Sequence, residues 1–235
     1  MNVYELKLKV YLLKDIKQED ALNQIAGFID ETLSKNEDFL QLHQSNSFKN
    51  YSFCALFPMA KQRTYKRDSV YTVVIRTIET DLVAYFEQNL KNHYNTVMKG
   101  LTCELKIVPR RMIETIYSLT PVLLKDSRGY WKQYMSFSEF EERLKVNLIK
   151  KYKAFSNNEI DEDFQLYTTI KVLNKCPIKV PYKRIHLLGD KLELQIAENP
   201  TAQELIHMSL GTGLLESNAR GYGFVNYQWY KEGKV

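Results

Sequence analysis

Residues 69–95, "SVYTVVIRTIETDLVAYFEQNLKNHYN", decide the fold of the first half of the chain. The front part, 69–78, reads as a strand. The rear part, 80–95, opens on a Thr-Asp cap signal at Thr80 and Asp81 and reads as a helix. Working outward, residues 3–12 ("VYELKLKVYL") alternate with period two and predict a strand. Residues 19–35 place Ala21, Leu22, Ile25, Ile29 and Leu33 on one helical face. Strands are expected at 51–57 and 101–109. The order is β-α-β-β-α-β, the split unit of ferredoxin-like and RRM-like domains.

The second half, from about residue 112, repeats that order with one added hairpin. "IETIYSLTPVLL" is extended. Residues 136–153 carry a Ser-x-x-Glu capping box (Ser136, Glu139) and an amphipathic pattern, so they predict a helix. Strands are expected at 164–173 and 178–187, paired as a hairpin, and again at "DKLELQIA". Residues 200–210 open with Pro and read as a short helix, and "GFVNYQWY" reads as a closing strand. The expected class is α+β: tandem ferredoxin-like domains, 1–111 and 112–235, with a C-terminal glycine-rich loop.

With 44% hydrophobic and 26% charged residues, the 235-residue chain can bury a globular core. No apolar run reaches the roughly 18 residues that span a membrane, and the N-terminus lacks the continuous apolar segment of a signal peptide. The three cysteines form no CxxC pair, which argues against a disulfide framework or a zinc knuckle and for a cytoplasmic setting. The four histidines lie at no metal-ligand spacing, so neither a metal nor a cofactor is expected. A net charge of +5 beside sixteen tyrosines and eleven phenylalanines suits single-stranded RNA, where bases stack and phosphates pair. The ordinary alternative is that many of these aromatics form the core.

Of the histidines, His43 stands apart. It falls in "FLQLHQSNSFKNYSFCALFP", a stretch that reads as a polar loop between helix and strand, with Lys49 nearby. Imidazole beside ammonium suits proton transfer near neutral pH. Basic residues cluster at "KQRTYKR" (Arg63, Lys66, Arg67), "PRR" (109–111), "KDSRGYWK" (Lys125, Arg128, Lys132) and "KVLNKCPIKVPYKR" (171–184). Each is either a set of phosphate contacts or a solvated surface. Four of the nine glycines, Gly211, Gly213, Gly221 and Gly223, fall in "GTGLLESNARGYGFVNY" (211–227). That segment lacks Gly-Lys-Ser/Thr and precedes a strand, so it is not a nucleotide-binding P-loop.

Taken in order, four pieces resemble the CRISPR-associated repeat-RNA endoribonucleases of the RAMP superfamily, "Cas six" type. They are the glycine loop, "LHQSNSFKNYSFCALFP", "SLTPVLLK" at 118–125 and "FEERLKVNLIKKYKAF". The resemblance spans essentially the whole chain. It implies metal-independent cleavage of the CRISPR precursor transcript within each repeat, by 2′-hydroxyl attack that leaves a 2′,3′-cyclic phosphate and a 5′-hydroxyl. His43 would be the general acid or base, and Lys49 would stabilise the transition state or hold the phosphate. The family's first-helix Tyr falls near Phe28 here, and Tyr51, Ser45 and Ser47 are the candidates to replace it. The glycine loop would sit against the RNA backbone with its amides aimed at phosphates, helped by Asn218 and Arg220. The second glycine of the family's first pair is Leu215 in this chain. Partners implied are CRISPR repeat RNA and subunits of a surveillance complex, with the chain as monomer or homodimer. The competing readings are a catalytically silent RNA-binding subunit of the same superfamily and a ferredoxin-like module that binds no nucleic acid.

Overall fold

Strand pairing sorts the long strands into two antiparallel sheets of four. The computed structural model describes residues 1–45, 47–182 and 185–231, with the side chains of Leu42, His43 and Lys61 outside the description. In chain order the first half runs β1 (Tyr4–Leu12), β2 (Ile16–Lys17), α1 (Ala21–Leu33), α2 (Glu37–Gln44), β3 (Tyr51–Phe53), β4 (Thr64–Tyr65), β5 (Val70–Thr77), α3 (Thr80–Asn89) and β6 (Met98–Ile107). The second runs β7 (Ile113–Ser118), α4 (Phe137–Ser156), β8 (Tyr167–Val172), β9 (Ile178–Tyr182), β10 (Ile185–Gly189), β11 (Leu192–Ile196), α5 (Pro200–Thr212) and β12 (Val225–Trp229). The sheets are ordered β3-β5-β1-β6 and β12-β7-β11-β8. Counting only the strands of each sheet, and reading the first sheet from β6, both run fourth, first, third, second, so the chain is a tandem of ferredoxin-like units.

Alternation along β1 explains the first layer. Leu6, Leu8, Val10 and Leu12 are buried in one cluster with Ile25, Phe28 and Ile29 of α1 and Leu82, Val83 and Phe86 of α3. Each such side chain contributes roughly 1.5–3 kcal/mol of burial. In the second half, α4 begins at a complete capping box, Ser136 with Glu139, and α5 begins at Asn199, whose side chain accepts from the Ala202 amide ahead of Pro200.

The opposite face of the first sheet receives the second half. Arg76 on β5 faces Glu5 on β1 and donates to it at 2.8 Å, while Lys106 on β6 reaches the other Glu5 oxygen at 3.0 Å. Burial pushes the Glu5 carboxyl up, but Arg76 and Lys106 together hold it below the usual carboxylate range. The same guanidinium donates to the Val225 carbonyl at 2.7 Å and lies over the Phe224 ring. Beside it, Gly211 lets α5 approach the first sheet closely. A Cβ there would lie 2.8 Å from Ile78 Cγ2, and the Ser52 hydroxyl donates to the Gly211 carbonyl at 3.0 Å.

Three local expectations are corrected. Residues 37–44, expected as loop, form α2, because the Asn36 side chain accepts from the Asp38 and Phe39 amides and starts a helix that carries His43 in its last turn. The run 178–187 is not one strand pairing with 164–173. It folds back on itself as the hairpin β9–β10, Tyr182 opposite Ile185, while β8 pairs with β11. The first helical residue of α3 is Thr80, not a cap. The cap position is Glu79, with no side-chain bond, and the Glu79 amide is satisfied by the Thr77 hydroxyl.

Candidate active site

The helix-to-strand segment after His43 and the glycine segment, 161 or more residues apart in sequence, line one cleft. Its cavity measures about 240 Å³ and is walled by 47–51 on one side and by Thr212 and 215–219 on the other, with Lys125 and Lys151 closing it. His43 is the penultimate residue of α2, two residues before the turn into this wall. The position of its imidazole lies outside the described residues.

Lys49 is half-buried and donates to the Ser45 carbonyl at 2.7 Å and hydroxyl at 3.3 Å. Burial lowers its pKa, because the ammonium has lost part of its water. Lys125 reaches the cleft from the opposite half, its ammonium held on the Tyr182 hydroxyl at 2.9 Å and over that ring. Three further groups of the wall, Asn50 Oδ1, the Tyr51 hydroxyl and Ser217 Oγ, are buried without a hydrogen bond among the described residues.

Tyr51 lines the cleft but is core. It packs edge-on against Phe86, and burial, with Asp30 nearby, pushes its pKa far above the ordinary tyrosine value. A phenol so buried holds its proton tightly. Phe28, at the family tyrosine's place, is likewise buried, against His93. Ser45 and Ser47 are exposed and joined through their hydroxyls at 2.6 Å.

The glycine segment differs most from expectation. Gly211, Gly213, Gly221 and Gly223 are all buried. The amides of Gly213, Gly221 and Gly223 already donate to the carbonyls of Ser209, Asn218 and Pro121. In this conformation they point into the protein. Their role is close packing: a Cβ on Gly223 (φ +70°) would lie 2.2 Å from the Leu214 carbonyl oxygen. Asn218 is also internal, its amide donating to the Leu214 and Tyr222 carbonyls. The turn 216–220 is partly open, and there Arg220 is paired with Asp30 at 2.8 Å. Leu215, where the family pattern has glycine, adopts φ +50° and is buried.

The other basic candidates are spread out. Arg63 lines a separate groove of about 610 Å³ with Lys17, Lys179, Lys191 and Tyr222. Lys66 pairs with Asp15, and Arg67 with Asp68, on the exposed surface. Arg128 forks onto Asp126 over the Tyr134 ring, and Lys132 reaches Asp190 at 3.3 Å. Among the described residues no group of three or more His, Cys, Asp or Glu is placed to hold a metal ion, and no helix is long and apolar enough to cross a membrane.

Besides Glu5 and Arg76, two further buried charged residues were not singled out by sequence. Asp190 accepts from Tyr130, Trp131 and Asn174 as well as Lys132, and so pins the loop 125–134. Lys151, in α4, is 2% exposed at the back of the cleft. The helix did carry a signal: Phe140, Leu144 and Leu148 form the buried stripe, and Lys151 continues it.

The family model for the C-terminal part of CRISPR associated protein Cas6 matches residues 109–227, just over half of the chain. The chain belongs to the Cas6 family. It is 26% identical over 226 residues to the CRISPR-associated endoribonuclease Cas6 2 of Methanocaldococcus jannaschii, covering 88% of this chain and 92% of that one. Among solved structures it is similar to a CRISPR associated protein Cas6, at a TM-score of 0.67 and 19% identity, covering 96% of this chain and 99% of the other. It is similar also to an RAMP protein described as binding different RNA substrates, at a TM-score of 0.73 and 16% identity, with the same coverage. These structural likenesses carry the tandem fold. In this Cas6-family chain the cleft lies where the two units meet.

Proposed function

We propose that the chain is an endoribonuclease that cuts CRISPR precursor RNA within its repeats, acting at the cleft between the 47–51 segment and the 215–219 turn. The observation that carries this is the shared cleft itself: the segment following His43, with Lys49, stands across about 240 Å³ from a turn of the second unit. The relative from Methanocaldococcus jannaschii is described as a CRISPR-associated endoribonuclease, and a Cas6 structure from Thermus thermophilus is a product complex.

The reaction needs no metal, because the RNA supplies its own nucleophile. The 2′-oxygen attacks the adjacent phosphorus as a base takes its proton. The bond from phosphorus to the 5′-oxygen breaks, and an acid protonates the leaving oxygen. The products are a 2′,3′-cyclic phosphate and a 5′-hydroxyl. His43 serves as acid or base, and Lys49 offsets the charge that builds on the phosphate oxygens. Lys125 extends the positive wall. The RNA is held by side chains rather than by the glycine amides. The exposed cations Arg63, Lys66, Arg67 and Arg128 serve more distant phosphates.

End-labelled repeat RNA incubated with the protein in EDTA tests this, beside a substrate with a 2′-deoxy sugar upstream of the cut. Cleavage of the first alone, lost in His43→Ala and reduced about 10²–10³-fold in Lys49→Ala with binding retained, is the expected result. Tight binding without cleavage by the unaltered protein would overturn it in favour of a silent RNA-binding subunit.

A further inference from the structure

The nitrogen of Lys151 has three acceptors at once. It donates to the Gly213 carbonyl at 2.8 Å and, more weakly, to the Thr212 carbonyl at 3.4 Å, and so closes the C-terminal end of α5. It also donates to Asn218 Oδ1 at 2.7 Å. Asn218 in turn spans the segment from Leu214 to Tyr222 with its two amide hydrogens. The chain between these points holds two non-glycine residues in the left-handed region, Leu215 (φ +50°) and Ser217 (φ +62°). Such conformations persist only where the surroundings over-determine them. Lys151 supplies that determination from behind.

Position 151 continues the apolar stripe of α4, where methionine would pack without desolvating a charge. A lysine there is useful only for what its nitrogen grips, and what it grips is one wall of the cleft that also contains Lys49. We infer that Lys151 is a positioning residue for the cleavage step: through Thr212, Gly213 and Asn218 it fixes the 215–219 turn at its working distance from the 47–51 segment. This rests on the endoribonuclease reading above. Lys151 is not a catalytic residue, since its three bonds go to the protein.

The test pairs kinetics with hydrogen exchange. In Lys151→Met, single-turnover cleavage of repeat RNA at saturating protein should slow about 10- to 100-fold, the scale of a small misplacement. Affinity for the 2′-deoxy RNA should move less than about threefold, and Lys151→Arg, which keeps the donors, should recover most of the rate. In the RNA-free protein, amides of 213–222 should exchange faster in K151M while those of β1, β5 and β6 do not. Unchanged cleavage by folded K151M, or unchanged exchange over 213–222, overturns the inference. If the unaltered protein cuts no repeat RNA, the endoribonuclease reading falls and the role in the cleavage step falls with it. The exchange comparison then still decides whether Lys151 holds the turn. Should K151M not fold, Lys151→Gln is read in the same way.

Discussion

Leu215 is the position where conformation and burial oppose each other, and substituting it separates the two. Its side chain is 1% exposed within the core of the second half, while its backbone sits at φ +50°. Leu215→Ala keeps the left-handed backbone and removes the side chain. The expected loss is about 3–4 kcal/mol, the usual range for a buried leucine. Leu215→Gly removes the same side chain and the Cβ as well. A Cβ in the left-handed region costs roughly 1–2 kcal/mol, and glycine returns about 0.4–1 kcal/mol of that through the greater freedom of its unfolded chain. Glycine should therefore be the milder substitution, by about 0.5–1 kcal/mol, although it removes more. Urea unfolding followed by tryptophan fluorescence is suited to the measurement, because Trp131 and Trp229 both lie in the second half. The midpoint order should be Leu, then Gly, then Ala, at constant denaturant slope. An alanine variant as stable as the glycine variant would show that the 215–219 turn relaxes out of its left-handed conformation, and the account of that turn would be wrong.

Three further outcomes follow from the same contacts. Tyr51→Phe should leave cleavage within about threefold and stability unchanged or slightly raised, because it deletes a buried hydroxyl that makes no hydrogen bond among the described residues; a loss of two orders of magnitude in rate would make Tyr51 a proton carrier. Asp190→Ala should cost about 3–5 kcal/mol and open the 125–134 loop to protease, since Tyr130, Trp131, Asn174 and Lys132 all lose their acceptor; an intact loop would refute its anchoring role. Burial pushes Lys151 down to about 7 from its ordinary 10.5, so between those values the unfolded chain holds a proton that the folded chain has released. Stability from this group should therefore rise from pH 7 to 8.5, by up to about 1.4 kcal/mol per unit, and denaturation of Lys151→Met should lack that slope. Parallel pH profiles for the two proteins would contradict the burial of the charge.

The strands and long helices were legible because each carries its own period: β1 alternates, α1 and α4 show one apolar face, and Ser136 with Glu139 announces a helix start. What was not legible depended on distant parts of the chain. α2 is short and polar on most of its surface, and only Asn36, with Glu37 and Asp38 after it, marks its beginning. The hairpin β9–β10 reads as one run because nothing in 178–187 shows that β8 is already taken by β11. The glycines invite an open loop, yet their spacing answers to Ile78, Phe53 and the 214 carbonyl, contacts made across the fold. The family resemblance located the segments that meet in the cleft. It could not tell Lys151 from its exposed neighbour Lys150, which differs only by pointing the other way on the same helix.

The joint at Arg76 also sets an order of events during synthesis. Glu5, Arg76 and Lys106 are all made in the first half, but the carbonyl and ring that complete their surroundings belong to Val225 and Phe224. Until residue 225 has left the ribosome, a folded first unit presents this charged face to solvent with its seat unfilled. The nascent protein can build one sheet early, but it closes its central interface, and with it the cleft, only when the last strand arrives.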